Sequence, residues 1–184
     1  QYSEELQNYL QLPDTESVET SLEKRTKIEF IVQMLNRMKR DTHSIYIFDN
    51  DGHPFYNIRT FGYRANFQEE YDKWKEISSK ANGSPVLIST QEIPRLNEKP
   101  IYLFSVVKEI KELYTLKTVG TIVVDANVSV IQDAVRELDQ VTRGQTLIAD
   151  EHDRVIYDSD RELIAKDVSG LESVRRAVGK SGSF

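Results

Sequence analysis

The chain has 184 residues and a mass of 21.3 kDa, room for one domain or two small ones with a buried core. Thirty acidic residues against 24 basic give a net charge of −6, which argues against a binder of nucleic-acid backbones. All of that charge lies in residues 1–23, where Glu4, Glu5, Asp14, Glu16, Glu19 and Glu23 meet no Lys or Arg. The lack of Cys excludes disulfides, thiolate metal sites and Cys nucleophiles, and no apolar run reaches the roughly 20 residues that cross a bilayer.

In chain order, the stretch from Asp14 to Asp41 carries Ile28, Ile31, Leu35 and Met38 at heptad-like spacing. It predicts a long helix of about 40 Å within a helical segment covering residues 1–41. Between Asp14 and Arg25 only Val18 and Leu22 are apolar, so an extended coiled coil is poorly supported. Ile45-Tyr46-Ile47-Phe48 reads as a strand, Asn50-Asp51-Gly52 as a hairpin turn, and Phe55-Tyr56 as part of the returning strand. Phe67, Tyr71, Trp74 and Ile77 or Ser78 recur at helical spacing up to the stop at Asn82-Gly83. Three strand-like runs follow, Pro85–Ser89, Ile101–Val107 and Val119–Asp125. Asn127 to Val141 then predicts a linking helix with Ile131, Val135 and Leu138 on one stripe. Leu171 to Val178 reads as a short helix.

A gapless self-similarity at an offset of 101 lays Ile45–Asn57 over Thr146–Asp158, each a strand, an Asp-centred turn and a second strand ending in an apolar-Tyr pair. Each hairpin follows a helical run, so the chain reads as two similar units. The first occupies residues 42–126, residues 127–143 link, and residues 144–184 hold a second unit short of its last three strands. With Gln1 in first position and no leader before it, the chain is expected to be part of a longer protein.

Four stretches carry a resemblance: Ser44–Asp49, Trp74 with Asn82-Gly83-Ser84-Pro85-Val86-Leu87, Val119–Asp125, and Thr146–Asp150 running through Ile156-Tyr157. In their order they resemble the extracytoplasmic double Cache (dCache, PAS-like) sensor domain of bacterial membrane histidine kinases, particularly the YesM-like group. The resemblance implies an α+β fold: a long N-terminal helix, then two PAS-like (Cache) units with antiparallel sheets, the second incomplete. It implies a five-stranded sheet ordered 2-1-5-4-3. It further implies a membrane-anchored parent, this segment on the extracellular face of a bacterial membrane, a small-molecule ligand in the membrane-distal unit, and a homodimer along the N-terminal helix. The segment would be no enzyme, while the parent would be a sensor histidine kinase. A chemoreceptor or diguanylate cyclase ectodomain, or a module that docks an extracytoplasmic protein, are the alternatives.

The residues themselves announce no catalysis. There is no phosphate-binding Gly-rich motif, no G-x-S-x-G and no H-E-x-x-H, and His43, His53 and His152 stand alone, so neither metal nor cofactor is expected. Asp49-Asn50-Asp51-Gly52 fails the EF-hand pattern, because Gly52 is fourth and Thr60 occupies the twelfth place. Residues 42–125 hold 12 of the 17 aromatics, which serve either as core packing or as walls of a pocket. As candidate ligand-binding residues these stretches supply Tyr56, Tyr63, Trp74 and Tyr102 together with Arg59 and Arg64, whose forked guanidinium groups suit a carboxylate or phosphate. In the resemblance, Arg59 and Arg64 fall in a loop that passes over the distal pocket, and Asp125 falls where some amino-acid-binding members hold a ligand amine. Asp125 equally suits the N-cap of the linking helix. The Arg-x-Trp pairing of those amino-acid receptors is absent here, since Arg64 and Trp74 are ten apart.

Overall fold

The computed structural model describes residues 2–12, 18–38, 42–56, 67–95, 98–131, 135, 146–150, 152–172 and 174. In order they form α1 (Tyr2–Leu10), α2 (Val18–Met38), β1 (Thr42–Asp49), β2 (Pro54–Tyr56), α3 (Phe67–Lys80), β3 (Val86–Arg95), β4 (Glu98–Lys111), β5 (Thr118–Asn127), β6 (Leu147–Ala149) and β7 (Val155–Asp158). The chain divides into two compact units, Gln1–Ile88 with Ser105–Ala126 and Ser89–Phe104 with Asn127–Phe184. Among the described residues no helix is long and apolar enough to cross a membrane.

The five strands β1–β5 form one sheet in the order β2-β1-β5-β4-β3, the order the resemblance implies. The interior strand β1 runs antiparallel to both β2 and β5, with Tyr46 opposite Tyr56 on one side and Val123 on the other. Its apolar run alternates between two cores, which explains why Ile45 to Phe48 shows no polar position. Ile45 and Ile47 meet Ile28, Ile31 and Val32 of α2, joined by Leu6 and Leu10 of α1, by Phe55 and by Val119. Tyr46 and Phe48 point the other way, onto Tyr71 and Trp74 of α3 and onto Val107 and Val123.

The helices follow their patterns. Ile28, Ile31, Val32 and Leu35 place one stripe of α2 inward, and no Pro or Gly interrupts it. The predicted segment 1–41 is thus two helices, both supplying the same core, while residues 13–17 and 39–41 lie outside the described ones. Tyr71, Trp74 and Ser78 form the buried stripe of α3, which ends where Asn82 and Gly83 take positive φ of 48° and 84°. Strands β3 and β4 run well past the predicted Pro85–Ser89 and Ile101–Val107, because a hairpin ladder continues through backbone hydrogen bonds where side chains turn polar.

In the second unit β6 and β7 form a two-stranded antiparallel hairpin. Of the linking helix expected over Asn127–Val141, Asn127 instead ends β5 and Val128 is a turn, residues 129–131 and 135 are helical, and residues 132–134 and 136–141 lie outside the described residues, as does everything after residue 174.

The offset of 101 holds at the level of individual bonds. Asp49 Oδ1 accepts from the backbone N–H of Asp51 (3.1 Å) and of His53 (2.9 Å), and Asp150 Oδ1 accepts from His152 (2.9 Å) and Arg154 (3.0 Å). Backbone bonds from Asp49 N to His53 O and from Asp150 N to Arg154 O close both turns, and Gly52 and Asp153 both take positive φ.

Candidate functional site

The face of the sheet that meets α3 carries the site. Successive residues of a strand alternate faces, so Ser44, Tyr46 and Phe48 of β1 share this one, as do Val123 and Asp125 of β5 and Ser105 and Val107 of β4. Register sets Ser44 opposite Asp125 and Tyr46 opposite Val123. A polar row, Ser44, Asp125 and Ser105, therefore lies one pleat, roughly 6.6 Å, from an aromatic row.

Asp125 is fully buried and takes a hydroxyl on each carboxylate oxygen, Ser105 Oγ donating to Oδ1 at 2.6 Å and Ser44 Oγ to Oδ2 at 3.3 Å. Burying a carboxylate is costly, and hydroxyl donors offset part of that cost without cancelling its charge. Next to it, Tyr46 stacks on Trp74 with centroids 6.5 Å apart and lies tilted against Tyr56 at 6.4 Å. Phe48 and Tyr71 complete the cluster at 4.9 Å, and the Tyr71 hydroxyl donates to the Asp49 carbonyl at 3.1 Å. Burial pushes the Tyr71 hydroxyl above its ordinary pKa, so it stays a donor. A buried carboxylate beside stacked aromatic faces suits an ammonium group, by charge-assisted hydrogen bonding and by cation–π attraction.

The capping alternative for Asp125 is resolved by its neighbour. Asn127 Oδ1 accepts the Ser129 N–H at 2.8 Å and so starts the linking helix, which leaves the Asp125 carboxylate on the sheet face with the two serines.

Of the candidate residues, Tyr56, Trp74 and Asp125 thus share one face. Tyr102, at the opposite parity of β4, instead lines a cavity of the second unit. Arg59, Tyr63 and Arg64 lie outside the described residues, in the 57–66 stretch that leaves β2 directly after Tyr56. The sequence reading missed Ser44, Ser105 and Tyr46. The period-two alternation of Ser44, Tyr46 and Phe48 is a signal for one face, but which strand lies opposite is not written in it.

Asp49, Asp51 and His53 bring three ligand-type side chains within 4.8 Å of one another. Asp49 is already engaged, with two backbone N–H groups on Oδ1, His53 Nδ1 at 3.1 Å from Oδ2, and the buried ammonium of Lys24 at 3.5 Å. The same scheme persists at Asp150, where the matching side chains are His152 and Arg154, so the arrangement serves to fasten a turn.

No family model and no curated protein matches this sequence. Solved structures do match in fold. The ligand-binding domain of the Campylobacter jejuni chemoreceptor Tlp3, in complex with L-valine, aligns with a TM-score of 0.56 at 16% identity over 99% of this chain and 70% of its own. The Pseudomonas aeruginosa amino-acid chemoreceptor domains PctC with GABA and PctB with L-Gln align with TM-scores of 0.58 and 0.59 at 12% identity, over 92% of this chain and 70% and 69% of theirs. Coverage falls to 55% of the Pseudomonas fluorescens CtaA domain. The chain has the Cache/PAS-like fold of ligand-binding sensor domains.

Proposed function

We propose that this chain is the extracytoplasmic sensor region of a bacterial membrane receptor, and that it binds a small amine-bearing metabolite on the α3 face of its first unit. One observation carries the reading: a fully buried Asp125 with a serine hydroxyl on each carboxylate oxygen, beside the Tyr46–Trp74 stack. The relatives in fold that hold L-valine, GABA and L-Gln support a ligand of this class. In this reading Asp125 receives the ammonium, Tyr56 and Trp74 wall it, and Arg59 and Arg64, with Tyr63, reach from the 57–66 stretch to a carboxylate at the other end. Ligand bound against α3 favours one packing of the sheet on α2, shifting a two-state equilibrium in proportion to its difference in affinity for the two states. The segment itself is a binding module without catalysis.

The parent is either a sensor histidine kinase, as the sequence resemblance implies, or a chemoreceptor, which the structural neighbours favour. Val18, Leu22 and Phe30 stand exposed along α2, a surface on which a second copy of the helix packs in a homodimer. Residues 42–126 are taken as the membrane-distal unit and 144–184 as the proximal one.

The test is calorimetric titration of the chain with free amino acids and γ-amino acids, each paired with its N-acetyl derivative. A ligand at a hundred times its Kd is expected to add about 2.7 kcal/mol of stability. That raises the Tm by about 5–10 °C, and the acetylated partners are silent. If no free amine binds while an extracytoplasmic protein does, the protein-docking alternative replaces this one.

A further inference from the structure

The second compact unit, Ser89–Phe104 with Asn127–Phe184, holds a cavity of about 370 Å³, lined by Lys99, Tyr102, Asn127, Arg161 and the apolar side chains of Ile101, Val128 and Ile164. That volume lies in the range of small-molecule sites, roughly 300–1,000 Å³. Every charged lining group is a cation, in a chain whose net charge is −6. Val128 and Ile164 are buried and give the cavity an apolar floor.

The segment that brings Arg161 here is built rather than loose. Asp158 is fully buried, and its carboxylate accepts the N–H groups of Asp160 (3.2 Å) and Leu163 (2.9 Å). The Arg161 N–H donates to the Asp158 carbonyl at 3.0 Å, which fixes Arg161 at a φ of 61°. A non-Gly residue held in the left-handed region costs of order 1 kcal/mol, and such strain is concentrated at functional positions. On the other wall, the Tyr102 carbonyl accepts the Val128 N–H at 3.0 Å, tying the lining strand of β4 to the start of the linking helix. The Tyr102 hydroxyl is directed at Glu92, and burial together with that carboxylate keeps it protonated, so its ring supplies the wall and not a charge.

We propose that the second unit carries its own binding site, for a small organic carboxylate whose anionic end is held between Arg161 and Lys99 and whose short apolar body rests on Ile101, Val128 and Ile164. A guanidinium pairs with a planar carboxylate through two hydrogen bonds, and the apolar floor favours an organic acid over a bare inorganic anion. This site is independent of Asp125 and of the amine-binding reading. It is tested by titrating the chain with sodium butyrate, butyramide and inorganic phosphate while following backbone amide resonances. Butyrate is expected to shift the Val128, Ser129 and Arg161 amides saturably, and butyramide to leave them in place. Arg161→Gln and Lys99→Gln are each expected to weaken butyrate about tenfold or more. Lys166→Gln, which removes an exposed cation outside the cavity, leaves its affinity unchanged. Lys99 is exposed on its strand, so Lys99→Gln reports on binding even if Arg161→Gln disturbs the turn. No saturable shift with butyrate, equal binding of butyramide, a response to phosphate alone, or an unchanged affinity in Lys99→Gln each overturns the proposal.

Discussion

Asp125 separates the function of a residue from its contribution to the fold. A fully buried carboxylate carries a desolvation cost, and replacing it with a neutral isostere relieves that cost while retaining the two positions that the Ser44 and Ser105 hydroxyls bond. Asp125→Asn is therefore expected to hold or raise the urea midpoint, while amine binding falls at least about tenfold. Equilibrium unfolding and titration of the same sample check this, and a variant that loses stability and binding together makes Asp125 a structural residue. Trp74→Ala removes a buried aromatic and is expected to cost about 3–5 kcal/mol, so it cannot report on binding in the same way. Sequence brought out Asp125, Trp74 and Tyr56 because an acid at a strand end and aromatics at helical spacing are visible in one dimension. Ser44 and Ser105 stayed hidden because they acquire meaning only through pairing across β1, β5 and β4, 81 and 20 residues from Asp125.

At the scale of elements, the two Asp-centred turns allow a controlled comparison. Asp49 and Asp150 each bind two backbone N–H groups, but Asp49 also faces Lys24, which is 4% exposed and additionally donates to the Leu12 carbonyl at 3.0 Å. Removing the Asp49 charge takes the ion pair from a buried ammonium that ties Leu12, just beyond α1, to α2 and to the turn after β1. Asp49→Asn is expected to cost about 3 kcal/mol or more, and Asp150→Asn about 1 kcal/mol, as read from denaturant midpoints. Equal losses would mean that Lys24 contributes nothing through this pair. The Asp150 turn also predicts an acid dependence. Burial alone would raise the Asp150 pKa, but the Ser89 hydroxyl, the N–H groups of Arg154 and His152 and the His152 charge together hold it below the ordinary 3.8. Its stabilisation is complete above that value and is lost as pH falls through the lowered one, so acid unfolding below pH 3.8 is expected to be shallower in Asp150→Asn. The elements themselves were largely legible: the apolar run of β1, the stripes of α2 and α3 and the stop at Asn82-Gly83 all fall where the pattern puts them. The far ends of β3 and β4 were not, since ladder bonds between main chains leave no trace in side-chain hydropathy.

For the molecule as a whole, the repeat at 101 was the most informative feature of the sequence, and its two copies differ in how much structure surrounds them. The first hairpin includes an interior strand of a five-stranded sheet, with Ile45, Tyr46, Ile47 and Phe48 all buried between α2 and α3. The second forms a two-stranded sheet, extended by backbone bonds of Val155 with Lys166 and Ala165, and Leu147, Ile148 and Ala149 are all half-exposed. A two-stranded ribbon is marginal alone and takes its stability from what it buries, here its own Val155 and Tyr157, with Ile164 and Val168 buried in the segment that follows. The two units are therefore expected to open at different free energies, so a single two-state fit fails for the chain. Native-state hydrogen exchange reads this directly: amides of β6 and β7 are expected to exchange at least about a hundredfold faster than those of β1 and β5, a difference near 2.7 kcal/mol. Denaturant dependence sharpens the comparison, because a local opening of the second unit exposes less surface and gives a smaller slope than the global opening that releases β1. If both hairpins exchange at one rate with one slope, the two units unfold as a single cooperative body, and the similarity of their turns extends to their stability. If an organic acid in the cavity lined by Arg161 and Lys99 selectively slows β6 and β7, the weaker unit gains its order from a bound ligand, and the carboxylate site acts on the element least able to stand without it.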